Sequence, residues 1–597
     1  MKNPAKRVTA RDTINPVTAS VIQGALENVA MEMGYKLMRM SYSSIIRESE
    51  DFGAALVDRQ CRQLCESKQS TPLQSGPIPG YVRGILREFE KRGESIRDGD
   101  VIMHNDAHGG ASHGPDVSFT VPVFYHDKLV GYSVTTAHHL DIGALAPGSC
   151  GIVEALDAYA EGLQFKAIKV YDEGKRNDAV WQILRDNIRV SDLVVGDMEA
   201  QVAASRIGAE RFVALIDQYG LDTIDAAAEA LFNNSERMMR DAIRKLPDGE
   251  YSATGYIDGY LDDKDPSKRD LILKVAIRVR GDELTVDLTG TAPQVSDRPI
   301  NMPFEGTVDV AIWLVLRSVL LDSDVHGHIP QNSGLTRPIT IIAPEGCLAN
   351  PIFPAPTIAR FCPGNALADT VMKALAPAVE KQVSAGIGNL KVIAFSGMEA
   401  GKQWVHMEIF EGSYGGRYGK DGMDAVDTLY ANTRNNPIED IESHVPLRVN
   451  RYELRQDGGG YGRWRGGMSS IRDFTFLSDG AAAVEGEGHK YKPWGFKGGT
   501  DGRTAELVFT SANGEKINMP SKVQYLPVAA GGTLSCIGAG GGGYGNPLDR
   551  DLDKVRNDVL DELYSVEVAR EHYGAVIGAD GTLDRKASDQ LRKEMGG

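Results

Sequence analysis

The sequence predicts an α+β, multi-domain chain, with a helical and hairpin N-terminal part and a β-rich, glycine-turn-rich C-terminal part. Three observations carry that reading. Apolar residues recur at helical spacing through Ile22, Leu26, Val29, Met33, Leu37 and Met40. Between 250 and 290 the period changes to the apolar–polar alternation of antiparallel strands. From about 390 onward, strand-like runs are separated by glycine clusters at 412–422, 458–467 and 531–545. Glycine is in excess, 66 of 597 residues, against a usual level of about 7%.

The elements follow in order. Asn15 and Pro16 have the chemistry of an N-cap and a first helical residue, which starts the long helix of the Met stripe. Residues 51–58 and 119–136 read as strands, the second a hairpin turning at Asp127-Lys128. Residues 187–245 are rich in alanine and charge and read as helical. Strands fill 250–290, and helices are expected over 306–321 and 364–383. A charged helical tail begins near Pro547. The pattern divides the chain into a metal-binding region (1–249), a mixed α/β region (250–385) and a β-rich region with the helical tail (386–597).

Charge restricts function. Lys plus Arg is 65 and Asp plus Glu is 82, a net charge of −17. Such a surface repels phosphate backbones and anionic lipid, so neither a nucleic-acid nor a membrane role is expected. No run of apolar residues is long enough to cross a bilayer. The N-terminus, MKNPAKRVTARDT, is basic but has no apolar stretch behind it, unlike a secretory signal. The six cysteines (Cys61, Cys65, Cys150, Cys347, Cys362 and Cys536) make no zinc-finger pattern and read as reduced structural thiols of a cytoplasmic protein.

Chemistry concentrates in the histidines. Six of the twelve lie between 104 and 139: His104, His108, His113, His126, His138 and His139. A hairpin brings its ends together, so His113 before it and His138 after it can converge. Two imidazoles with one carboxylate and open positions make a catalytic divalent-metal site. Asp51, Asp106, Asp116 and Asp141 are the candidate carboxylates. A single histidine in a turn more often just bonds the backbone; half of the chain's histidines beside four carboxylates tips the balance to metal. Zinc, manganese and iron all suit such donors.

The glycine segments are read as structural. Gly538, Gly540 and Gly543 satisfy G-x-G-x-x-G, but Pro547 follows closely and no helix opens there, as a phosphate loop requires. No G-x-x-x-x-G-K-[ST] loop is present.

Together the segments NDAHGGASHGPD, AHHLDIGALAPGS, RDNIRVSDLVVGDMEAQVAASRIGAERF, NTRNNPIEDIESHVPLRVNRYELRQDGGGYGRWRGG and GGGGYGNPLDRDLDKVRNDV resemble one family. They are similar to the B-type subunits of ATP-dependent hydantoinases and 5-oxoprolinases, whose superfamily includes the acetone and acetophenone carboxylases. The resemblance implies a hetero-oligomer in which an A-type partner binds ATP and phosphorylates the oxygen of a small-molecule substrate. The B-type chain would carry one divalent metal, zinc first, and direct water at an activated cyclic amide; in the carboxylases it hosts carboxylation of an activated enol. Carried over by motif, the metal ligands are His113, His138 and Asp51. His139 and Asp141 would orient the imidazoles, and Asp116 belongs with them as a catalytic-site residue. Where family hydrolases read G-G-T-H-L-P-D, this chain has Gly110-Ala111-Ser112-His113-Gly114-Pro115-Asp116, and Leu140 stands where a small residue is usual.

Overall fold

The structure is a computed structural model that describes residues 14–149 and 151–596. The basic N-terminal stretch and Cys150 lie outside the described residues. The remaining five cysteines are buried and free of disulfides.

The N-terminal region is built on a seven-stranded antiparallel sheet. Its strands are β1 (Phe52–Asp58), β2 (Gln63–Glu66), β3 (Val101–His104), β4 (Asp116–Tyr125), β5 (Lys128–His138), β6 (Ile168–Asp172) and β7 (Lys175–Arg176). They lie in the order β2-β1-β5-β4-β3-β6-β7. The helices Pro16–Met40 and Ser191–Tyr219 pack against it, and Ile78–Arg92 also contacts β1, β3, β4 and β5. Every residue of β1 is therefore buried, which explains an unbroken apolar run in place of alternation. The first helix starts as its sequence requires, with the Asn15 side chain accepting from Val17 N at 2.9 Å. Its buried stripe ends at Leu37; Met40 is exposed.

The hairpin turns one residue earlier than expected. His126 and Asp127 both have positive φ (47° and 62°), the conformation a two-residue loop needs to match strand twist. A bulge lies between Val123 and Phe124: Val123 faces Gly131, but Phe124 faces Leu129, leaving Val130 as the extra residue. The stretch expected to be helical over 187–245 is two helices, Ser191–Tyr219 and Leu221–Ile243, divided at Gly220, and a further helix, Asp178–Asn187, precedes it.

The middle region carries β8 (Gly249–Gly259), β9 (Arg269–Arg280), β10 (Glu283–Asp287) and β11 (Ile339–Ile342) in the order β11-β10-β9-β8. β9 alternates in burial along most of its length, as a one-sided sheet should. The expected helix at 306 begins at Asp309, after Gly306 at φ 94°. The one expected over 364–383 runs from Phe361 to Leu375, because Pro377 has no N–H to continue the ladder. The two pack together, and the second covers β8 and β9.

The C-terminal region holds a pair of sheets that share an aromatic core of Phe395, Trp404, Phe410, Phe474 and Phe476. One has four strands and the other five. The glycine clusters dock backbone on backbone: Gly541 N donates to Gly467 O at 3.0 Å, and a Cβ on Gly466 would lie 1.9 Å from Gly541 O. Glycine is required there by contact, with no phosphate cradle. The tail is helical at Leu552–Leu560, Val566–Tyr573 and Arg585–Gly596. The α+β expectation holds. Among the described residues no helix is long and apolar enough to cross a membrane.

Candidate metal centre

The site stands at one end of the N-terminal sheet. The bulge sets the pairing so that Asp116, the first residue of β4, faces His138, the last of β5. Regular pairing carried from the turn without a bulge would put Ala137 opposite Asp116, and a slip of one turns a side chain to the other face. On the other side of β5, His138 N donates to Asp51 O at 3.2 Å. His113 arrives from the loop before β4. That loop lies tight on the helix Ile78–Arg92: Gly110 has φ 107°, and a Cβ there would be 2.3 Å from Gly80 O. Only glycine fits, which accounts for the GG of the motif.

Three donor atoms meet. His113 Nε2 is 3.3 Å from His138 Nδ1 and 3.0 Å from Asp116 Oδ1, and His138 Nδ1 is 2.8 Å from the same oxygen. Ligands about 2.1 Å from a cation lie about 3.0 Å apart at neighbouring octahedral positions and about 3.4 Å apart in a tetrahedron. The triangle has the dimensions of one face of such a shell. All three side chains are essentially inaccessible to solvent.

The surrounding hydrogen bonds fix what each atom offers. His113 Nδ1 is 2.9 Å from the carbonyl of Ile358. A carbonyl only accepts, so Nδ1 carries the proton and Nε2 presents its lone pair to the cluster. Burial, with the Arg360 guanidinium nearby, lowers the His113 pKa to about 4, so the ring stays neutral. His138 Nε2 lies 2.6 Å from Ser149 Oγ, and donation to that hydroxyl leaves Nδ1 as the second lone pair. Burial opposes ionisation of Asp116, but His113, His138 and Arg360 hold its carboxyl well below the usual carboxylate range. Its Oδ2 accepts from Arg360 Nη2 (2.7 Å) and Ser112 Oγ (2.5 Å), and its Oδ1 from Gln74 Nε2 (2.8 Å). Two imidazole lone pairs and an anionic oxygen converging at these distances repel one another unless a cation lies between them. The donor set therefore fits a divalent metal.

The other expected site residues are placed differently. Asp51 is buried beside the cluster, accepts from Thr71 Oγ1 at 3.2 Å and is not one of the three converging donors. Burial raises its pKa to about 6, with His138 opposing and the Asp116 charge adding. His139 follows His138 on the chain and turns to the helix Ser191–Tyr219, where Nε2 meets Gln201 Oε1 at 2.9 Å. Burial lowers its pKa to about 4. Asp141 braces the loop after β5, accepting from Gly143 N, Arg189 N and Arg189 Nη1. Asp106 caps the turn before the glycines through His108 N. His104 accepts from Ala167 N, His108 meets Ala355 O, and His126 sits at the exposed hairpin tip.

Several residues that bond the donor cluster escaped the sequence reading: Gln74, Ser112, Ser149, Ile358 and Arg360. Ile358 and Arg360 stand 245 and 244 residues from the side chains they hold. The available signal was an arginine inside the apolar run TIARFCPG. Glu161 was also missed. It accepts from Thr357 N at 2.5 Å and Ile358 N at 2.6 Å, anchoring the carbonyl that holds His113.

The hydantoinase B/oxoprolinase family matches residues 15–547. This chain belongs to that family. It is 63% identical to a provisionally named B subunit of a D-/L-hydantoinase from Pseudomonas sp. (strain NS671), over 97% of this chain and 98% of that protein. It is also similar to the ATP-dependent caprolactamase from Pseudomonas jessenii. The crystal structure of that enzyme superposes with a TM-score of 0.86 at 28% identity, covering 97% of this chain and all of the other. The beta subunit of the caprolactamase of that organism is 31% identical over 97% of this chain. A nucleotide-free acetone carboxylase structure matches with a TM-score of 0.89 over 98% of this chain and 83% of the other; at 17% identity this is likeness of fold.

Proposed function

We propose that this family member is the metal-bearing subunit of an ATP-dependent cyclic amide hydrolase, of hydantoinase, oxoprolinase or lactamase type. It would act in a cytoplasmic hetero-oligomer after an A-type, ATP-binding partner phosphorylates the amide oxygen. The observation that carries this reading is the His113–Asp116–His138 donor set, in a chain 63% identical to a hydantoinase B subunit. Phosphorylation suits the chemistry, because an amide carbonyl is a poor electrophile and a phosphorylated oxygen is a good leaving group.

The chain's residues divide the work. His113 and His138 present ring nitrogens whose direction is set by Ile358 and Ser149. Arg360, Ser112 and Gln74 orient Asp116 toward them. Asp116 takes the ligand role that the motif gives to Asp51, and Asp51 becomes a positioning residue beside His138. His139 and Asp141 position the segment that follows β5 through Gln201 and Arg189. The sheet and its helices exclude bulk water, which strengthens every charge interaction inside. A divalent ion, zinc first and manganese or iron also suited, supplies Lewis acidity when bound: it lowers the pKa of water toward about 7 and polarises carbonyl groups.

The test is the co-purified complex, supplied with ATP and a panel of hydantoins, 5-oxoproline and lactams, with release of phosphate and ring-opened acid measured. Acetone with bicarbonate is the comparison arm. Stimulation by at least one cyclic amide is expected. No stimulation by any of them, with turnover of the ketone, would overturn the reading.

A further inference from the structure

A second cavity, of about 260 Å³, lies between β2, the turn over 72–76, the helix Asp309–Leu320 and the segment 331–339. The turn serves both places. Thr71 and Gln74 hold Asp51 and Asp116, whereas Pro72, Ser75 and Gly76 line the cavity.

Most of the charges around it are matched. Arg62 pairs with Asp58 and Glu229, and Arg83 with Glu305. The Asp309 carboxylate accepts from the backbone of Gly306 and Val310. Arg317 lies within the field of Glu66, but its Nε is a further donor without a partner. Polar groups of both kinds, however, have no protein partner: the acceptors Gln63 Oε1 and Gln331 Oε1, and the donors Trp313 Nε1 and Asn332 Nδ2. Two of these are oriented by their own amides. Gln63 Nε2 is committed to Glu66 Oε2 at 2.9 Å, leaving Oε1 to accept. Asn332 Oδ1 is committed to Gly334 N at 2.9 Å, leaving Nδ2 to donate. Gln63 and Asn332 are each 6% exposed. Buried polar groups are normally paired, so these call for a ligand or an exchangeable water. An occupant that answers both needs an N–H beside a C=O, with no net charge on that unit.

We propose that this cavity binds the amide or ureide group of a small cyclic amide or of its ring-opened acid. The choice of ligand rests on the hydrolase reading above; the donor–acceptor pattern does not. The walls of Trp313, Leu314, Met239 and Leu335 would pack on the rest of the molecule. Because the lining turn also holds both aspartates, occupancy would bear directly on the carboxylate side of the metal centre.

The co-purified complex is titrated calorimetrically, without ATP, with hydantoin and separately with N-carbamoylglycine, its ring-opened acid. Both titrations are repeated on Asn332→Leu, Trp313→Phe and His113→Ala. The expected result is a binding component for at least one probe that persists in His113→Ala and weakens about tenfold or more in Asn332→Leu and Trp313→Phe. Preference for hydantoin marks a chamber for the ring, and preference for the acid a chamber for the product. Absence of any such component overturns the proposal, as does one that vanishes in His113→Ala or ignores both cavity variants. Trp313→Phe removes a single N–H with little change in volume, so the test survives if Asn332→Leu misfolds. Failure of the hydrolase reading shows separately, as absent ATP turnover with cavity binding intact.

Discussion

Glu161 touches none of the donor atoms, yet the metal centre should depend on it. Its carboxylate is buried and receives two backbone N–H groups, Thr357 and Ile358, on the single atom Oε1. Glu161→Ala leaves both without their acceptor. At about 1–3 kcal/mol for each orphaned buried donor, the loss is about 2–6 kcal/mol. The Ile358 carbonyl, which fixes the His113 proton on Nδ1, is then free to drift. Loss of such an outer partner typically lowers metal affinity about 10–100-fold. Glu161→Gln should be far milder, since an amide oxygen in the Oε1 position accepts both bonds.

The same pair of variants tests pH dependence. Burial is the main cause that raises the Glu161 carboxyl from 4.5 to about 8, against the pull of the Ile358 and Thr357 amides. A carboxyl raised on folding favours the protonated native state. Its contribution is full below about pH 4.5 and is lost as pH rises through about 8. The stability of the natural protein relative to Glu161→Gln should therefore fall across that window. The assays are urea midpoints at several pH values and competitive metal titration of the complex. A Glu161→Ala variant within about 1 kcal/mol of the natural protein and within twofold in metal affinity would refute the reasoning, given the costs above.

Other expectations follow from the same geometry. His113→Ala and His138→Ala should each abolish metal retention, read by elemental analysis, and amide-stimulated turnover, while the circular dichroism spectrum stays native. Asp116→Asn should lose metal and also stability, because it removes one charged partner of the buried Arg360; Asp51→Asn should retain its metal, and the reverse order would restore Asp51 as the ligand. Gly110→Ala should lower the urea midpoint, since a Cβ 2.3 Å from Gly80 O at φ 107° adds a clash to a strained backbone cost of about 1–3 kcal/mol.

Local chemistry was legible in the sequence, and long-range chemistry was not. The first helix, the hairpin and the convergence of His113 with His138 all follow from periodicity and from the way a hairpin closes. Which aspartate joins them does not, because spacing is indifferent to a single extra residue such as Val130. His139 was expected to orient the imidazoles, but neighbouring residues at a strand end turn opposite ways, and its partner is Gln201 on a helix. Ile358 and Glu161 carry no local pattern at all, and Arg360 only its place in the apolar run TIARFCPG. They are joined to the site only by the closure of segments far apart in the chain. The glycine clusters read as structural because no helix opens directly after them, while their backbone-on-backbone docking emerged only in three dimensions.

The bulge in the β4–β5 hairpin divides it into segments with different tolerance to change. Beyond it, His126, Asp127 and Lys128 are exposed, and length added at the tip leaves the pairing of Asp116 with His138 intact. That tip is a suitable place for a fluorophore or a surface tether for following assembly with a partner. Between the bulge and the site, removal of one residue from a single strand would turn His138 or Asp116 away from the cluster. The same hairpin thus offers a handle at one end and admits no change of count at the other.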